Sequence, residues 1–268
     1  MSWWGKLAGG AFGFMLGGPL GALLGAVLGH NLDKGLSGFE REEELPADER
    51  ERIQTAFFTT TFSVMGHLAK ADGRVSPDEI ALARAVMGRM ELDAEMRETA
   101  IRLFNQGKQA DFPLDEVLAQ FRKECRRRTT LIQMFLEIQL QAAYADGRMD
   151  PAEEKLLLHI CQQIGIPEFL FRQLERMIRA ERSFRGQAGA GQAPGPTRPS
   201  LKDAYAILNI TEQATDAEVK KAYRRLMSQH HPDKLVAKGL PEEMMKIATE
   251  KTHEIRQAYE QIREARGF

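Results

Sequence analysis

The chain has little of what several protein classes require. It holds two cysteines, Cys125 and Cys161, in 268 residues. Their contexts are unrelated, which excludes a disulfide framework and a cysteine-built zinc site and points to buried free thiols in a reducing compartment. Neither sign of charge is in excess: 37 Lys and Arg stand against 38 Asp and Glu, for a net charge of −1. The overall basic footprint of a nucleic-acid binder is therefore missing. Runs of β-branched residues alternating with polar ones are scarce, so strands are not expected. No phosphate loop, nucleophile elbow or metalloprotease motif appears, so neither an enzyme nor a cofactor is expected. The length calls for more than one domain. Helical periodicity is present almost everywhere, and the predicted fold class is all-α.

What is there begins with a long uncharged run. After a short N-terminus (residues 1–6), residues 7–29 carry no charged side chain over 23 positions. As a helix this stretch reaches about 35 Å at roughly 1.5 Å per residue, enough for a hydrocarbon core of about 30 Å. Trp3 and Trp4 suit the membrane interface in front of it. Within it Gly9, Gly13, Gly17, Gly21, Gly25 and Gly29 recur every fourth residue. On one helix they form a ridge without side chains where a second helix can approach closely, so a transmembrane homodimer face is predicted. A glycine-rich span without that role, or a cleaved signal peptide, are the alternatives. Pro19 should kink the helix near its middle. Flanking charges lean only slightly toward a cytoplasmic C-terminal side.

The middle, residues 50–182, contains two similar segments 74 residues apart: Ala71-Asp72-Gly73-Arg74-Val75-Ser76-Pro77-Asp78-Glu79 and Ala145-Asp146-Gly147-Arg148-Met149-Asp150-Pro151-Ala152-Glu153. Each has the chemistry of a helix–turn–helix corner. Glycine takes the left-handed position that stops a helix, Ser76 or Asp150 caps the next one, proline opens it, and glutamate closes a capping box. The rival use of the same carboxylates is a divalent-metal site built from Asp72, Glu79, Asp146 and Glu153. Their spacing is not that of an EF-hand. His67 and His159 lie on helix patterns and read as structural histidines. Residues 131–140 are apolar on most faces and should run through the bundle centre. A Gly-, Ala-, Gln- and Pro-rich stretch at 184–200 reads as a linker with a coil reach of roughly 20–25 Å, free to let the C-terminal domain search for its partner.

Residues 201–268 close the chain. Thr215 followed by Glu218 is a capping box. Behind it Val219, Ala222, Tyr223 and Leu226 make an apolar stripe, while Lys220, Lys221, Arg224 and Arg225 form a basic outer face. Pro232 disfavours the α conformation at His231, so this helix should end near His230 and His231-Pro232-Asp233 should sit in an exposed turn. The segment holds twelve Lys and Arg against eleven Asp and Glu. Nucleic acid is therefore not the expected partner.

Together these residues resemble the J-domain of DnaJ-type co-chaperones. Asp203-Ala204-Tyr205-Ala206-Ile207-Leu208 is similar to that family's short first helix, Lys220-Lys221-Ala222-Tyr223-Arg224 to its basic second helix, His230-His231-Pro232-Asp233-Lys234 to its signature loop, and Glu254-Ile255-Arg256-Gln257-Ala258-Tyr259 to the packing end of its third. The duplicated corners resemble the TerB-like module of tellurite-resistance proteins. The order of anchor, TerB-like region, linker and terminal J-domain resembles a membrane-anchored bacterial co-chaperone of the DnaJ type. The resemblance implies docking on a cytoplasmic DnaK-type ATPase chaperone through His231, Pro232, Asp233, Lys220, Lys221, Arg224, Arg225 and Lys234. It also implies single-pass insertion in the bacterial inner membrane with the bulk of the chain cytoplasmic, and a link to envelope or capsule signalling. A membrane-bound divalent-ion sensor or scaffold with an auxiliary J-domain is the second reading.

Overall fold

The computed structural model describes residues 17–28, 47–71, 92–144, 147–189 and 200–268, with the isolated positions 84, 87, 88 and 90. All regular structure among them is helical. The central domain contains α2 (Ala47–Leu68), α3 (Ala94–Gly107), α4 (Leu114–Glu124), α5 (Thr129–Ala143), α6 (Pro151–Ile164) and α7 (Glu168–Gly189). In front of it lies α1 (Gly18–Leu28).

Two helices occupy the centre, where one was expected. In α5 the apolar run from Leu131 to Ala143 is buried almost throughout. In α2 every residue from Ile53 to Gly66 is buried, including Thr55, Thr59, Thr60, Thr61 and Ser63. The threonines hide α2 from a hydropathy reading, yet Phe57, Phe58, Phe62 and Met65 anchor it at the core. Fully burying a side chain of that size stabilises by roughly 1.5–3 kcal/mol. Phe121 of α4 bridges the two helices, with its ring 6.2 Å from Phe57 and 4.8 Å from Phe135. α2 and α3 cross at two glycines. A methyl on Gly66 would lie 1.9 Å from the Phe104 carbonyl oxygen, and one on Gly107 would lie 1.8 Å from that of Ser63. At this crossing His67 Nδ1 reaches the Gly107 carbonyl at 3.0 Å, so this histidine is structural.

The second duplicated corner folds as its residues require. Gly147 has a positive φ of 98°. Asp150 caps α6, accepting from the Ala152 N–H at 2.7 Å, while Glu153 Oε2 accepts from the Asp150 N–H at 2.9 Å. Pro151 opens the helix and Gly165, at φ 80°, ends it. The first corner lies outside the described residues. Cys125 and Cys161 are buried free thiols, and burial pushes both up to about 12.

Of the N-terminal run only residues 17–28 are described. Gly17 and Gly18 have positive φ (53° and 62°), and α1 starts at the Gly18–Pro19 step. Proline suits a helix's first turn, where its missing N–H is no loss, which is why Pro19 starts a helix here instead of kinking one. Gly21 and Gly25 lie on α1, while Gly9, Gly13 and Gly29 fall outside the described residues. Leu20 and Leu24 are buried against the central domain. Gln120 fixes the helix start, accepting from the Leu20 N–H and donating to the Gly17 carbonyl, both at 2.9 Å. Among the described residues no helix is long and apolar enough to cross a membrane.

The C-terminal domain comprises α8 (Leu201–Ile207), α9 (Asp216–Gln229), α10 (Pro232–Ala237), a single 3-10 turn (Glu242–Met244) and α11 (Met245–Arg266). Val219 and Leu226 of α9 meet Ile255, Ala258 and Ile262 of α11, with Tyr205 and Ile207 of α8 closing the core. The stretch expected as a linker from residue 184 is helical as far as Gly189, because α7 continues into it. Residues 190–199 lie outside the described residues. The C-terminal domain is seated on the central one. Ala180 of α7 belongs to its core, while Leu235, Leu240, Met244, Ile247 and Ala248 join the core of the central domain.

Candidate functional site

The basic helix is built as its sequence dictates. Thr215 Oγ1 accepts from the Glu218 N–H at 3.3 Å, and Glu218 Oε2 accepts from the Thr215 N–H at 2.7 Å. The Thr215 N–H and the Thr215 hydroxyl, which donates to the same Oε2 at 2.9 Å, favour the ionised form and hold the Glu218 carboxyl below its usual range. The apolar stripe turns inward, leaving Lys220, Lys221, Arg224 and Arg225 exposed. Lys220 lies over the Phe268 ring at 4.6 Å, and Arg224 Nε donates to the Lys220 carbonyl at 3.3 Å.

α9 ends at His230, which takes the C-cap position. The next three residues do not form the open turn expected of them. His231 is the N-cap of α10, with extended backbone (φ −62°, ψ 124°), and Pro232 is its first residue. The same restriction that stops α9 starts α10, since a residue before proline is pushed to extended backbone and proline's φ suits a helix's first turn. The side chains of His231 and Asp233 emerge at this break. His231 Nδ1 lies 3.9 Å from Asp233 Oδ2, with the side chains 47% and 85% exposed. Lys234 Nζ donates to Ser228 Oγ at 2.6 Å, which ties the head of α10 back to α9. The arrangement offers a carboxylate at a stiffened tip beside a row of cations. It can recognise an acidic surface that also carries a guanidinium.

Three structural elements behind this face were not legible in the sequence. Arg266, near the end of α11, donates to Tyr205 Oη (2.6 Å), to the Ala214 and Glu212 carbonyls (2.5 and 2.7 Å) and to Asp216 Oδ1 (3.1 Å). It thereby pins the loop that carries the α9 cap. Tyr223 of α9 and Tyr259 of α11 stack at 4.2 Å. His230, beside the exposed tripeptide, is buried with Nε2 3.9 Å from Glu137 Oε1 of the central domain. Burial lowers its pKa and outweighs the pull of Glu137, so its ring stays neutral.

Of the four carboxylates weighed as a metal site only Glu153 is described, and its Oε2 accepts from the Asp150 N–H of the α6 cap. Asp72, Glu79 and Asp146 lie outside the described residues, and among the described residues no group of three or more His, Cys, Asp or Glu could hold an ion. His159 instead pairs with Asp115 at 2.6 Å.

Comparison with known proteins follows the same division of the chain. Residues 1–39 match the family model for the co-chaperone DjlA transmembrane domain, residues 58–176 that for tellurite resistance protein TerB, and residues 203–266 that for the DnaJ domain. An anchor, a TerB-like helical body and a J-domain define a membrane-anchored J-domain co-chaperone. Among similar proteins, co-chaperone protein DjlA of Coxiella burnetii is 50% identical over 274 residues, covering all of both chains. DjlA of Photobacterium profundum is 46% identical over 99% of each chain. That of Escherichia coli K12 is 45% identical over the full length of both. The chain belongs to the DjlA co-chaperone family. No solved structure matches it.

Proposed function

We propose that the chain docks on a DnaK-type chaperone on the cytoplasmic side of the bacterial inner membrane and stimulates its ATP hydrolysis. The observation that carries this is the exposed His231–Asp233 pair, set by Pro232 at the α9–α10 break beside four exposed cations. The cations of α9 steer an acidic partner surface and raise the association rate more than the affinity. Asp233 then offers its carboxylate to a partner arginine, a charge-assisted pair with bidentate geometry. The residues that carry the reading are His231, Pro232, Asp233 and Lys234, with Lys220, Lys221, Arg224 and Arg225.

The glycine spacing supports a homodimer formed through the anchor within the lipid bilayer. Control of envelope or capsule signalling through the DnaK-type partner is the physiological output of this reading. The test is His231→Gln in the full chain. We expect stimulation of a DnaK-type ATPase to be lost while the helical circular dichroism is unchanged. Stimulation at the wild-type level would discard the docking role.

A further inference from the structure

The C-terminal domain meets the central domain over a surface with a charged centre. Lys251, inside α11, is 5% exposed. Its Nζ lies 3.2 Å from Glu137 Oε2 of α5, whose side chain is 6% exposed, and donates to Glu181 Oε1 of α7. Glu254 and His230 border the same cluster. Around it the contact is apolar and close. The Gly239 Cα faces Ile53 so tightly that a methyl there would come within 2.7 Å of Ile53 Cγ2. Gln54 Nε2 reaches the Leu240 carbonyl at 3.5 Å and Lys238 Nζ reaches Thr130 Oγ1 at 3.2 Å. At the far edge Ser183 of α7 donates to Asp203 of α8 at 3.0 Å.

We infer that the central domain is the docking partner of this chain's own J-domain, latched through Lys251 on Glu137 and Glu181, so that the J-domain is a fixed head and not a freely tethered one. The inference does not depend on the proposed chaperone partner. The latched face is formed by His230, Leu235 of α10, the turn after α10 and the start of α11. His231, Asp233 and the α9 cations, next to that face, are not buried by it, so latching gives the docking tip one fixed direction relative to the central domain. The charges make the latch specific. Two buried carboxylates flank one ammonium, and removing the ammonium leaves them uncompensated in a dry interface, which is strongly unfavourable.

The test is hydrogen exchange on the full chain in lipid nanodiscs. In the wild type, residues 244–251 and 134–141 should be protected. Lys251→Met should speed exchange there on the order of a hundred-fold, while the α9 amides keep their wild-type rates. Adding Glu137→Gln and Glu181→Gln to Lys251→Met removes the stranded charges and should restore most of the protection. Three results would each overturn the latch: wild-type-like exchange in Lys251→Met, unprotected interface segments in the wild type, or no recovery in the triple variant. Equal acceleration in α9 would overturn it as well, because Lys251 would then serve only the internal fold of the J-domain.

Discussion

Gly66→Ala sets local propensity against tertiary packing. Gly66 lies inside α2, where alanine is favoured over glycine by about 1 kcal/mol. Taken alone, that preference makes the variant more stable. At the crossing with α3, however, the new methyl would stand 1.9 Å from the Phe104 carbonyl oxygen, a backbone atom that cannot swing aside. Side-chain carbons do not approach closer than 3.0 Å, so the two helices must part by more than 1 Å. A gap of that order forfeits roughly a quarter to a half of each dispersion contact across the crossing. The separation also pulls the Gly107 carbonyl from His67 Nδ1. Overpacking of this severity costs about 3 kcal/mol. After the propensity gain, a net loss of about 2 kcal/mol remains. At about 3 °C per kcal/mol for a chain of this size, the Tm should fall by about 6 °C. Thermal unfolding followed by circular dichroism reads it directly. A Tm equal to or above the wild type would refute the close crossing.

Two further outcomes follow from the same structure. Glu181 is held up to about 7 from 4.5, by burial first and then by Glu254 and Glu137, against the pull of Lys251. A raised carboxyl contributes stability that is complete below 4.5 and lost as pH rises through about 7. His230, lowered by burial, works the other way: its contribution is present above 6.5 and is lost as pH falls through its lowered value. Urea unfolding should therefore show a smaller loss of stability between about pH 5 and about pH 8 in Glu181→Gln than in the wild type; equal losses would assign the slope elsewhere. For the anchor, Gly21→Leu with Gly25→Leu should weaken self-association in a membrane dimerisation assay. Gly17 is avoided because its positive φ would strain any side chain. An unchanged dimer signal would remove the ridge from the proposed interface.

The contrast between the two domains shows what a sequence exposes. Both described capping boxes, Thr215 with Glu218 and Asp150 with Glu153, form as their spacing requires. Each is closed within three residues. The basic face of α9 is equally local, since a helical period separates Lys220, Lys221, Arg224 and Arg225 from the apolar stripe. Pro232 was legible in what it forbids, the continuation of α9, but less so in what it permits, the start of α10. Burial of α2 was obscured by Thr59, Thr60 and Thr61, which read as polar until neighbours surround them on all sides.

By itself the sequence determined where α6 and α9 start and where α9 stops, which face of α9 is charged and that a proline-stiffened tip follows it, because those features rest on hydrogen bonds and periodicities spanning a few consecutive residues. The tertiary structure alone decided that Gly66 meets Phe104, that Arg266 pins the loop at Glu212–Asp216, and that Lys251 is enclosed by Glu137 and Glu181. Those partners lie tens to more than a hundred residues apart along the chain. The dry, close contact that gives each its force exists only once the helices have packed.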